Sequence, residues 1–160
     1  MTLLLTCCGI GKSFGEKQVL KNIDLDISRG DRIGLVGSNG AGKTTLANII
    51  TGSLDYDQGV LLYRQHNLEI GYMQQRQDLP EITHHKLTGE AGEMETDFLV
   101  ASSRMGLRGV EHWEEERLQG LSGGERTKLA LATVWAGCPD LLILDEPTNH
   151  LDYQRVEWLI

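Results

Sequence analysis

Long apolar runs are missing from this sequence. The longest, such as Leu141 to Leu144, fall far short of the roughly 20 residues that a helix needs to cross a bilayer. The N-terminus lacks the basic and apolar pattern of a signal peptide, so a soluble, unexported, cytoplasmic chain is expected. Only three cysteines are present, Cys7 and Cys8 side by side and Cys138 far away, which excludes a metal-ligand spacing and an even disulfide framework. They fit a reducing compartment, as small buried hydrophobes. Excess positive charge is absent as well. At a net charge of −8 the summed field repels nucleic acid and anionic membrane, and no direct nucleic-acid patch is visible. There is no internal repeat and no low-complexity tract.

What is present is a globular composition, 40% apolar and 24% charged, over 160 residues, which is room for one domain with a hydrophobic core. It has 19 glycines, with clusters at 37–42 and 120–124. Residues 2–8 are mostly apolar and precede a turn-like stretch over 9–17. Val19, Ile23, Leu25 and Ile27 then alternate with polar residues, which predicts two strands joined as a hairpin. Ile33 to Val36 read as a short strand, and a helix is expected from Lys43 to Ile50, stopped by Gly52. Val60 to Tyr63 and Ile70 to Met73 read as further strands. From Pro80 to Gln119 the chain becomes charged and helix-favouring, with Phe98, Leu99, Met105, Trp113 and Leu118 supplying apolar faces. Ser122, with Glu125 three residues on, predicts a capping box and a helix over 123–136. Leu141 to Leu144 should be a buried strand, and a last helix should begin near Asp152. Strands alternating with helices predict an α/β fold with a mainly parallel sheet flanked by helices, an N-terminal antiparallel β region and a helical insertion over 80–120.

Gly37-Ser38-Asn39-Gly40-Ala41-Gly42-Lys43-Thr44 fits G-x-x-x-x-G-K-[ST] at every fixed position, between an expected strand and an expected helix. Glycines let successive backbone N–H groups turn inward toward a β-phosphate, and the helix that follows adds its positive end. Lys43 can reach the β- and γ-oxygens, the Thr44 hydroxyl can ligate Mg²⁺, and Thr45 can touch the α-phosphate. A control lies nearby in Gly11-Lys12-Ser13, where Thr6 stands at the first glycine position and no helix pattern follows, so it reads as an ordinary turn.

The strand from Leu141 to Leu144 ends in Asp145 and Glu146. In open α/β sheets ligands collect at such carboxyl ends. Asp145 is the candidate to hold Mg²⁺, and Glu146 the candidate to polarise a water that attacks the γ-phosphoryl group. Leu121-Ser122-Gly123-Gly124-Glu125 places a hydroxyl and exposed N–H groups at a helix N-terminus, a second anion site.

Together these motifs resemble the ATP-binding cassette family, whose signature is the pentapeptide Leu121 to Glu125. The resemblance implies binding and hydrolysis of Mg-ATP, with the signature facing the γ-phosphate on a second cassette, in the same parent chain or as a dimer. It also implies that Phe14 stacks on adenine, although a core position is equally open. Gln75, or Gln74 by register, would sense Mg²⁺ and the γ-phosphate. Asn149, His150, Leu151 and Asp152 look like the D-loop of the ABC-F subfamily, as do the stretch from Gly30 to Gly37 and the pair Trp158-Leu159. ABC-F proteins carry two cassettes without a membrane domain and commonly act on ribosomes, some as antibiotic-protection factors. The alternative is the ATP-binding subunit of a membrane transporter, which shares the phosphate loop, the acidic strand end and the signature.

Where the chain departs from the family, it stops before the strand that carries the switch histidine, and His150 belongs to the D-loop motif instead. Between Gln75 and Leu121 there is space for the usual helical subdomain and little for a long arm. A fragment or truncated first cassette is therefore expected, weak or inactive in turnover on its own. His84, His85 and His112 lack ligand partners at metal spacing, Glu114-Glu115-Glu116 reads as a solvated helical face, and Trp113, Trp135 and Trp158 read as packing residues.

Overall fold

The computed structural model describes residues 2–74 and 96–147. The chain divides into two compact units, Met1–Ile70 and Gly71–Ile160.

In the first unit, β1 (Leu3–Phe14) and β2 (Lys17–Ser28) form an antiparallel hairpin whose register runs from Leu3 opposite Ser28 to Phe14 opposite Lys17. β3 (Gln58–Tyr63) adds to the other side of β1, also antiparallel, giving the order β2-β1-β3. The expected antiparallel region is therefore present, but its turn is smaller than predicted. Only Gly15 and Glu16 turn, and the Gly11-Lys12-Ser13 control lies in strand rather than in a turn. The reason is local. Gly9, at φ 63, sits where the ladder slips register, and its freed amide donates to Asp24 Oδ1 at 2.7 Å, so the bulge is satisfied without ending the strand. Across the sheet, a Cβ on Gly59 would come within 2.4 Å of the Gly9 carbonyl oxygen, so the close approach needs glycine at 59, while Gly9 is favoured by its positive φ.

The helix α1 (Lys43–Ile50) forms where expected and buries Leu46, Ala47, Ile49 and Ile50. Gly52, at φ 75, ends it: its N–H donates to the Ile49 carbonyl and that of Ser53 to the Asn48 carbonyl, the paired bonds of a left-handed helix stop. Tyr63 Oη donates to the Ile50 carbonyl at 2.8 Å, fastening β3 to that end. The strand expected over 33–36 does not form. Among the described residues no ladder partner takes its backbone groups, and Val36 is 91% exposed. Apolar content alone does not make a strand where no neighbour pairs with it. The cysteines differ too: Cys7, on β1, is buried, whereas Cys8, one step along the pleat, and Cys138 are exposed.

In the second unit, β4 (Ile70–Met73) leads in from the first and pairs with β5 (Leu141–Leu144) in a two-stranded sheet. Among the described residues its helices are α2 (Thr96–Arg104), α3 (Glu115–Gln119) and α4 (Gly123–Ala136), with a 3₁₀ turn at Val110–His112. Their apolar faces meet in one cluster that includes Met73, Phe98, Met105, Leu118, Leu121, Leu129 and Leu131, with Trp113 packed against it. The apolar positions expected between 98 and 118 thus build this core. Two expectations fail in part. β5 is half-buried rather than buried, since only β4 flanks it among the described residues, and Trp135 is 38% exposed. The expected last helix lies outside the described residues. No helix among the described residues is long and apolar enough to cross a membrane.

Candidate functional site

The phosphate loop occupies the exposed stretch between β2 and the first turn of α1. Gly40 and Gly42 lie at φ 77 and φ 98, in the left-handed region open to glycine. Gly42 is the N-cap of α1 and is fixed by packing as well: a Cβ there would meet Leu20 Cδ2 at 2.7 Å and Val19 Cγ1 at 3.0 Å. β2 therefore dictates where the helix may start. A short turn closes the loop, with the Ala41 amide donating to the Ser38 carbonyl at 3.1 Å. Lys43 Nζ donates to the carbonyls of Gly37 at 2.9 Å and Ser38 at 3.1 Å, so the ammonium is folded over the bend. Asn39 stands exposed at the loop tip, while Thr44 and Thr45 follow in the helix's first turn. The arrangement gathers a cation, a hydroxyl and the N-terminal turn of a helix around one bend, a setting that suits an anion.

Phe14 belongs to the same unit. It is the last residue of β1 and is 51% exposed, which removes the core reading left open by the sequence. Lys12 Nζ stands over its ring, 5.7 Å from the centroid.

In the second unit, Asp145 follows β5 and is 8% exposed, its amide donating to the Met73 carbonyl at 3.0 Å. Its neighbour Glu146 is half-buried with φ 53, a conformation that costs a non-glycine residue about 1–3 kcal/mol and that clusters at functional sites. Tyr72, on β4, has its hydroxyl buried; desolvation first, then the Asp145 charge, push its pKa up. The sequence did not single out Tyr72, because a tyrosine in a short apolar strand carries no signal of its own. Hydroxyl and carboxylate oxygens of the Thr44 and Asp145 type suit Mg²⁺, a hard cation, so the residue types fit the implied ion. Among the described residues no cluster of three or more His, Cys, Asp or Glu side chains could hold a metal. His112 is exposed beside Glu111.

The signature segment forms the start of α4. Ser122 caps it, with the predicted capping box complete: its Oγ accepts the Glu125 amide at 3.3 Å while its own amide donates to Glu125 Oε2 at 3.0 Å. Leu121 is buried, whereas Gly123 and Gly124 lie in the first turn. Arg117, unnoticed in the sequence, pairs with Glu125 and lies 4.9 Å from the Trp113 ring centroid. The Glu125 carboxyl is lowered to about 2, first by the Ser122 amide, then the Ser122 hydroxyl, then Arg117. Gln75 and the D-loop residues Asn149, His150, Leu151 and Asp152 lie outside the described residues; Gln74 is exposed after β4.

A family model described as ABC transporter matches residues 20–149. YdiF of Bacillus subtilis (strain 168) is 35% identical over 202 residues, covering 98% of this chain and 31% of YdiF. The zinc import ATP-binding protein ZnuC of Magnetococcus marinus is 36% identical over 154 residues, covering 94% of this chain and 58% of ZnuC. The chain thus spans less than two thirds of either relative. The YdiF alignment is longer than this chain's 160 residues, so it contains long gaps on this side, whereas the ZnuC alignment is close in length to the part of this chain that it covers. Among solved structures, MJ1267, an ATP-binding cassette of an ABC transporter, superposes with a TM-score of 0.75 at 20% identity, covering 99% of this chain and 75% of that one.

Proposed function

The chain belongs to the ABC transporter family, and from that premise we propose that its phosphate loop binds Mg-ATP and that the whole protein couples ATP hydrolysis to the pairing of two cassettes. The fold is that of the family's nucleotide-binding domain, and ATP hydrolysis is the family's general activity. The observation that carries the reading is the Lys43 ammonium folded over the Gly37 and Ser38 carbonyls at the head of α1. An incoming β,γ-phosphate would draw that ammonium from neutral carbonyls to charged oxygens, which form stronger bonds. Phe14 would then support the base, and Thr44, Gln75 and Asp145 are the residues that would hold Mg²⁺. Glu146 orients the attacking water, and the segment Leu121 to Glu125 faces the nucleotide of a second cassette.

Two finer readings differ in the partner. The Asn149 to Asp152 stretch favours an ABC-F protein that engages the ribosome. The match to ZnuC, of similar length through the aligned region, favours an ATP-binding subunit that docks on a membrane permease. The test uses the full-length parent bearing Glu146→Gln, which holds ATP without turnover. ATP-dependent pelleting with ribosomes supports the first reading. Co-purification with a membrane protein and no ribosome pelleting supports the second.

A further inference from the structure

We propose that Lys12 and Asp57 act as a clamp that fixes the Phe14 ring as a one-sided stacking platform for a purine base. The inference deepens the proposed ATP site and rests on it.

Phe14 is the last residue of β1, opposite Lys17 beside the Gly15-Glu16 turn, and half its surface is open. A phenyl ring half open to solvent would sample several rotamers, and each base-binding event would have to freeze them. Lys12 lies two residues earlier on the same face of the pleat, and its ammonium covers one side of the ring. A free lysine would not stay there, because its four-carbon stem is itself mobile. This one is anchored: Nζ bonds Asp57 Oδ1 at 2.9 Å, and only 13% of the lysine side chain is exposed. Asp57 also binds the strand itself. Its Oδ2 accepts the Ser13 amide at 2.7 Å, and its own amide donates to the Gly11 carbonyl at 2.8 Å. One aspartate therefore holds residues 11, 12 and 13, the three steps that lead to Phe14.

Electrostatics gives the clamp a preferred ligand. The ammonium draws π-density toward its own side of the ring, leaving the opposite face less negative. An electron-rich purine stacks better on such a face, and it has one face to choose. Asp57 remains ionised to hold the cation, since the Lys12 hydrogen bond and then the Ser13 amide keep its pKa below the usual carboxylate value.

The test compares affinity for ATP with affinity for inorganic triphosphate, which lacks a base, in the full chain and in Phe14→Ala, Lys12→Met, Lys12→Arg and Asp57→Asn. Asparagine can still accept the Ser13 amide, so this variant removes the ion pair while keeping the strand fastened, and it carries the test if Lys12→Met does not fold. Lys12→Met and Asp57→Asn should weaken ATP binding roughly two- to tenfold, with triphosphate unchanged and Lys12→Arg close to the parent. Equal weakening toward ATP and triphosphate, or no weakening toward ATP in either variant, overturns the clamp. If Phe14→Ala alone weakens ATP, the base platform stands without the clamp; if Phe14→Ala changes nothing, the stacking role itself fails.

Discussion

The Ser122 hydroxyl donates to the Glu125 carboxylate at 2.8 Å, and the Glu125 amide returns a longer bond, 3.3 Å, to Ser122 Oγ. This exchange begins α4, the helix whose Leu129 and Leu131 lie at the centre of the second unit's core. The residues that the family resemblance turns toward a partner's nucleotide are therefore also the residues that start a structural helix.

A pH dependence follows from that pair. Glu125 titrates near 2 in the folded chain against 4.5 ordinarily, so its contribution to stability is complete above about pH 4.5 and disappears as pH falls toward 2. Glu125→Gln should flatten this limb of the urea midpoint plotted against pH. Ser122→Ala should cost about 1 kcal/mol at neutral pH, the usual value of a lost N-cap.

The other end of the same helix carries a correctable strain. Cys138 adopts φ 47 just past the C-cap Gly137, and its amide donates to the Trp135 carbonyl at 2.9 Å, a position that favours glycine. Cys138→Gly should raise stability by about 0.5–1 kcal/mol, read as a higher urea midpoint at unchanged slope. An unchanged or lower midpoint would show that the backbone here is not strained.

At the phosphate loop the requirement runs the other way. Gly42→Ala combines a left-handed φ with a contact of 2.7 Å to Leu20, and should destabilise the first unit by roughly 2 kcal/mol or more. A second change, Leu20→Ala, should recover part of the loss if the clash dominates, and none if the backbone strain dominates.

What the sequence disclosed depended on how local the cause was. The bounds of α1 and α4 were legible because Gly52 and the Ser122-Glu125 box act within one turn. The length of β1 was not, since whether Gly9 to Ser13 bend depends on Asp24 and Gly59 across the sheet. The 33–36 segment failed for the same reason: apolar residues announce burial, but a strand needs a paired neighbour. At the candidate site, Lys43 and its glycines were legible from spacing alone. Lys12, Asp57 and Arg117 were not, because each acquires its role from a partner distant in sequence or from a ring it covers.

The most direct measurement is a calorimetric titration of the chain with ATP and Mg²⁺, beside Lys43→Ala. The account predicts saturable binding that weakens at least tenfold in the variant, since the ammonium now held by the Gly37 and Ser38 carbonyls is then missing from the phosphate tail. Equal affinity of the two proteins for ATP would contradict it.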